Sequence, residues 1–189
     1  MAIELEFKFR ATPETLGKIA ADTPGETTRY AMETTYYDTP DGALSSRYIT
    51  LRLRLENETS VCALKTPAKQ GRNEFEVNAP SIETALPELC KLSGEELPQS
   101  VIPICGAKFI RLAKTLTLPG ATVELALDEG ILTGGGKEIP LCEVEVELKA
   151  GDSQVAMQYA ANLAIAYGLE TESRSKFRRS LALAKGECL

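Results

Sequence analysis

Histidine is absent from this 189-residue chain. That removes Ser-His-Asp and Cys-His catalysis, and with them histidine-ligated zinc. Any metal would have to be held by Asp and Glu oxygens, which suits Mg2+, Mn2+ or Ca2+. No CxxC pair occurs: Cys62, Cys90, Cys105, Cys142 and Cys188 are scattered and odd in number. They read as reduced thiols, several of them core fillers, and this points to a cytoplasmic protein rather than a disulfide framework. No apolar run approaches the length of a membrane span, and charge from Glu4 onward leaves no signal peptide ahead of the first strand. A basic excess is also lacking. Lys and Arg number 21 against 27 Asp and Glu, a net charge of −6, so no nucleic-acid partner is expected, although a local cluster of cations is not excluded. No repeat, linker or low-complexity segment divides the chain, and 1–189 is expected to form a single domain with a real core.

What the chain has instead is charge in alternation. Read as a strand, Glu4-Leu5-Glu6-Phe7-Lys8-Phe9-Arg10 puts Glu4, Glu6, Lys8 and Arg10 on one face, with Ile3, Leu5, Phe7 and Phe9 on the other. The design returns in Leu51-Arg52-Leu53-Arg54-Leu55, in Glu74-Phe75-Glu76-Val77 and in Glu143-Val144-Glu145-Val146-Glu147. Strands that are apolar outside and charged inside would enclose a charged hollow.

The remaining segments fit that plan. Thr12-Pro13-Glu14 opens a short helix that ends at Thr23-Pro24-Gly25. Residues 27–39 read as a strand, and 43–47 as a helical turn. Residues 48–56, 61–66 and 72–78 form an antiparallel meander. Ser81 caps a helix over 81–92, and 93–103 is turn-rich. Strands follow over 105–118, 121–129 and 141–149, with 130–137 as a flexible tip. Gly134-Gly135-Gly136-Lys137 lacks phosphate-loop spacing, because Glu138 follows the lysine, and it is taken as a hairpin tip. A long helix capped at Asp152 or Ser153 runs to Tyr167 and packs on the outside of the sheet. About eight strands and three or four helices make an α+β chain with an antiparallel sheet closed on itself.

The ordered residues resemble the CYTH family, also called triphosphate tunnel metalloenzymes. The first strand carries the family's ExExK signature as Glu4-x-Glu6-x-Lys8. Behind it come Tyr36-Tyr37-Asp38-Thr39-Pro40, Arg52-x-Arg54, Lys65, Arg72-x-Glu74-x-Glu76, Arg111, Glu124 with Asp128, Glu143-x-Glu145-x-Glu147, and Ser173-x-Ser175-Lys176, a series spanning nearly the whole chain. The resemblance implies an eight-stranded antiparallel β tunnel with helices packed outside. It implies a small-molecule triphosphate in the lumen and a divalent metal, Mg2+ or Mn2+.

On that basis Lys8, Arg52, Arg54, Lys65, Arg111 and Lys176 are the substrate-binding set, since a buried triphosphate needs several cations. Glu4, Glu6, Asp128, Glu143 and Glu145 are the metal set, because carboxylates beside phosphate make sense only with a cation between them. Lys8, Glu4 and Glu6 carry the catalysis. Arg72, Lys114, Arg174 and Arg178 are weaker candidates. Lys114 has the wrong parity relative to Arg111 and would face inward only at a bulge. Glu124 and Glu147 read as a face paired with Lys or Arg, Glu74 and Glu76 as anchors for cations, and Tyr36 and Tyr37 as packing. The expected function is hydrolysis of the terminal phosphoanhydride of inorganic triphosphate. The alternatives are a thiamine triphosphatase, a class IV adenylate cyclase and a non-catalytic module binding polyphosphate or nucleotides. No membrane partner is expected, and a homodimer is left open.

Overall fold

The computed structural model describes residues 2–69 and 71–188, without the side chains of Ala2, Ile3 and Glu4. The opening strand begins as β1 (Ala2–Glu4) and resumes after Leu5 as β2 (Glu6–Arg10). Helix α1 (Pro13–Asp22) starts where Thr12 accepts the Thr15 N–H at 3.2 Å and Pro13 fills the first turn. Next come β3 (Thr28–Asp38), the single turn α2 (Ala43–Ser46), and the meander β4 (Thr50–Glu56), β5 (Thr59–Pro67) and β6 (Arg72–Asn78). Helix α3 (Ile82–Ser93) is opened by a Ser81–Thr84 capping box and closed by Gly94 in the left-handed region. Three long strands follow, β7 (Ile102–Leu118), β8 (Ala121–Gly134) and β9 (Lys137–Gly151). Helix α4 (Ser153–Tyr167), the short β10 (Glu170–Thr171) and α5 (Lys176–Lys185) complete the order. Among the described residues no helix is long and apolar enough to cross a membrane.

All strands pair antiparallel in one sheet of order β1-β6-β5-β4-β3-β7-β8-β9-β2-β10. The α+β class holds, but two finer expectations are corrected. Among the described residues there are ten strands rather than eight, because the first strand is split at Leu5 and β10 adds to β2. Among the described residues the order is also linear rather than a closed ring, with β1 pairing β6 at one edge. The sheet is still strongly curled. Only Leu5 separates Glu4, opposite Arg72 of β6, from Glu6, opposite Glu147 of β9. The short first strand therefore brings distant members of the order to one place.

The outer face is apolar and carries three longer helices and the single turn α2. Val123, Leu125, Leu127, Val144 and Val146 pack with Leu16 and Ile19 of α1 and Ala156, Ala160 and Leu163 of α4. Leu51, Cys62, Leu64 and Phe75 pack with Leu44 of α2 and Ile82, Ala85, Leu86 and Leu89 of α3. The inner face is mixed rather than wholly charged: Met32, Ala107, Phe109, Leu132 and Leu141 form an apolar block there.

Helix α5 departs from the expectation that helices pack outside. It lies on the inner side of β7 and β8, where a Cβ on Gly134 would meet the Ser180 carbonyl at 2.4 Å and Ser180 Oγ donates to the Gly106 carbonyl at 2.9 Å. The flexible tip expected over 130–137 is mostly strand. Gly130 lies opposite Phe109 in β8, and a Cβ there would meet the Lys108 carbonyl oxygen at 2.1 Å. The glycine serves close backbone approach, not a turn. The five cysteines are free.

Candidate active site

The curl encloses a cavity of about 360 Å³ lined by residues from β2 through β9 and by the start of α5. Strand register explains its contents. Lys8 lies opposite Glu145 and Glu6 opposite Glu147; Glu143 lies opposite Asp128, and Asp128 opposite Arg111. On the far side Lys65 lies opposite Glu74, with Arg52 and Arg54 on the neighbouring strand. Pairing with an inward residue keeps each partner inward, so the period-two pattern is carried from strand to strand.

All six residues of the expected substrate set, Lys8, Arg52, Arg54, Lys65, Arg111 and Lys176, line this cavity. Of the metal set, Glu6 and Glu145 line it, whereas Asp128 and Glu143 are fully buried behind the wall. The side chain of Glu4 lies outside the described residues; its backbone pairs with Arg72.

One wall is a chain of buried ion pairs. Arg111 forks onto Asp128 at 2.8 and 2.7 Å and also donates to Glu145. The Lys176 ammonium contacts Asp128 at 2.7 Å and Glu145 at 2.8 Å, and it donates to Glu143 as well. Arg179 donates to Glu143. Oxygens of Asp128, Glu143 and Glu145 lie within 4.8 Å of one another, and the Lys176 ammonium is a shared partner of all three. Phe109 lies under both cations, its ring centre 5.1 Å from Lys176 Nζ and 5.8 Å from the Arg111 guanidinium. Burial opposes charge on Lys176 and Arg111, but the adjacent carboxylates outweigh it and hold both above their usual range. Burial likewise works against Lys8, and Glu6, at 2.7 Å, with Glu145 keeps its ammonium above the ordinary value. For Glu143 burial prevails and pushes the carboxyl up, whereas Glu145 is held well down by Lys176, Arg111 and Lys8.

The opposite wall carries a second group of cations. Arg52 donates to Glu74 at 3.0 Å, and Lys65 pairs with the same carboxylate at 3.2 Å. Glu74 thus serves two cations, which hold its carboxyl low despite burial. Arg54 pairs with Glu56 and lies 3.9 Å from Glu76. Burial and the neighbouring Arg52 lower its pKa, and among the described residues its Nε is buried without a hydrogen-bond partner.

The weaker candidates separate. Arg72 reaches the cavity and donates to Thr50 Oγ1 and to the Lys65 and Tyr48 carbonyls. Lys114 does not: its ammonium donates to the Ala20 and Thr23 carbonyls and caps the end of α1. Arg174 pairs with Glu172, and Arg178 stacks 5.6 Å over Tyr48. Arg10 reaches Glu172 at 2.8 Å. Glu124 and Glu147 both pair with Lys149, Glu124 across the sheet from β8 as expected and Glu147 along its own strand β9. Pattern reading passes over Arg179, Phe109 and Glu172. Phe109 shares the parity of Arg111 and was legible on that ground. Arg179 lies three residues after Lys176, the helical spacing for a shared face.

The model of the CYTH domain family matches residues 2–181. An inorganic triphosphatase of Haemophilus influenzae is 30% identical over 203 aligned residues, covering 100% of this chain and 57% of the relative. The chain thus spans little more than half the length of that curated relative. Among solved structures, a candidate adenylyl cyclase from Hippeastrum, described as having a dominant triphosphatase activity, matches with TM-score 0.70 at 17% identity, covering 100% of this chain and 98% of that one. A candidate adenylate cyclase of Bacillus halodurans matches with TM-score 0.61 at 15% identity, covering 94% and 96%. At these identities the structural likeness speaks for the fold alone. Because the family model runs across nearly the whole sequence, the chain belongs to the CYTH domain family.

Proposed function

We propose that this chain is a metal-dependent hydrolase acting on the terminal phosphoanhydride of a triphosphate, with inorganic triphosphate as its substrate. The observation that carries the reading is the convergence of Lys8, Arg52, Arg54, Lys65, Arg111 and Lys176 on one cavity. Arg52 and Arg54 offer guanidinium forks to non-bridging phosphate oxygens, and an anion there would supply the partner that Arg54 Nε lacks. Lys65 and Arg72 extend the same wall. Lys8 and Lys176, both kept protonated by neighbouring carboxylates, bring positive charge to the acidic side, where charge on the terminal phosphate and its leaving group would be stabilised.

The lining fits a divalent cation. Eight basic and seven acidic side chains face the cavity among the described residues, a near balance that cannot by itself neutralise a triphosphate. Hard carboxylate oxygens of Glu6 and Glu145, with Glu4 on the adjoining strand, would hold Mg2+ or Mn2+. Bound there, the ion supplies charge neutralisation and a more acidic water. Asp128 and Glu143, engaged by Arg111, Lys176 and Arg179, hold those cations in place.

A second cavity of about 810 Å³ adjoins the first and shares Thr50, Arg72, Ser175 and Phe177 with it. Its exposed Tyr48 beneath Arg178 offers a platform for a planar group, which favours thiamine triphosphate as the second reading. Phosphate release from each substrate, with Mg2+ or Mn2+ and with EDTA, tests both. Release from inorganic triphosphate should require metal and fall about a hundredfold in Glu6→Gln. Wild-type release no higher than that variant, with every metal tried, would overturn the hydrolase reading.

A further inference from the structure

We infer that Arg179 is a positioning residue, acting through Glu143 to hold the Lys176 ammonium at the cavity wall. The inference rests on the triphosphate reading above. Lys176 and Arg179 lie three residues apart on α5 and are both buried. They meet on one carboxylate: Lys176 donates to Oε1 of Glu143 and Arg179 to Oε2. Glu143 is wholly buried and does not line the cavity, so its charge is answered from α5. Arg179 also lies near enough to Glu172 to help depress its carboxyl.

The helix is fixed again near its far end. Ser180 bonds the Gly106 carbonyl, and Gly134 and Gly135 leave no room for a Cβ against Ser180 and Ala184. With its position along the sheet set by these contacts, the direction of the Lys176 side chain depends on the charges around it. With Arg179 present, Glu143 has a cation on each oxygen, and Lys176 is shared with Asp128 and Glu145, of which Glu145 lines the cavity. Without Arg179, the buried Glu143 carboxylate would have one cation left and would draw Lys176 inward, away from substrate. The buried Nε of Arg179 has no hydrogen-bond partner among the described residues, so the side chain is better explained by this one directed contact than by general adhesion.

Calorimetric titration of the non-hydrolysable bis-methylene analogue of triphosphate into the full chain with Mg2+ reads binding without turnover. Arg179→Met should weaken binding about tenfold, Lys176→Met by a similar factor, and the double variant no more than Lys176→Met alone, because Arg179 acts through Lys176. Arg179→Lys should recover much of the affinity, and if the methionine variants do not fold, Lys176→Gln and Arg179→Gln, singly and together, should show the same non-additive pattern. Unchanged affinity in folded Arg179→Met, or losses that multiply in the double variant, would overturn the inference alone. A wild type that neither binds nor hydrolyses triphosphate would overturn the underlying reading, and this inference with it.

Discussion

Arg54 is buried beside Arg52, and its carboxylate partners Glu56 and Glu76 do not offset that burial. Burial and Arg52 both act against its protonated form, and its Nε has no partner among the described residues. A side chain held this way contributes little to the ligand-free fold and much to an anion that arrives beside it. Arg54→Met should therefore leave the ligand-free Tm unchanged or raised while weakening triphosphate binding about tenfold. A clear fall in Tm with unaltered affinity would show that Arg54 is structural. Glu172 is the opposite case. It is buried, accepts from Arg10 and Arg174, and has its pKa lowered to about 2, because these donors outweigh the effect of burial. A depressed carboxylate stabilises the fold above its unfolded pKa and loses that contribution as pH falls through the folded value. The shift corresponds to about 3 kcal/mol, present at neutral pH and lost between about pH 4 and 2. Urea melts of wild type and Glu172→Gln should differ by up to that amount at pH 7 and converge toward pH 2.

At the scale of elements, Lys114 separates a binding role from a structural one. Its ammonium satisfies the Ala20 and Thr23 carbonyls at the end of α1, a job no basic residue in the last turn of α1 performs. Lys114→Met should cost about 1–3 kcal/mol of stability and leave the KM for triphosphate unaltered. A raised KM at full stability would return Lys114 to the cavity. The parity argument against an inward Lys114 was sound because period two is strict within a regular strand. The same strictness made Lys8, Arg52, Arg54, Glu143 and Glu145 legible. Interruptions were not legible: nothing in Glu4-Leu5-Glu6 marks a break, since an edge strand can change partners without changing its own pattern. Gly130 misled because a glycine read as a turn signal is also what a strand needs where Phe109 presses against it. Arg179 was hidden because its partner, Glu143, lies 36 residues away, a relation set by where α5 docks and not by local spacing.

In the whole molecule, the larger apolar clusters occupy the outer face of one curled sheet, and the charged chemistry shares the inner face with the smaller block around Phe109. The outer clusters under α1, α3 and α4 hold the curvature, and α5 closes the inner side with an apolar flank and a charged one. Such a fold can tolerate a cavity crowded with charge because its stability is drawn from the other face. Ligand should nevertheless add to it: saturating triphosphate should raise Tm by the linkage expected of a ligand that binds only the folded state, and the rise should shrink in Arg54→Met. The central claim is that the cavity cleaves a terminal phosphoanhydride rather than only holding the anion. Phosphorus NMR of inorganic triphosphate incubated with the chain and Mg2+ or Mn2+ reads this directly. The account predicts equimolar phosphate and pyrophosphate with metal and none in EDTA. Triphosphate that binds yet remains intact, or ATP converted to pyrophosphate and a cyclic nucleotide while triphosphate is untouched, would contradict it.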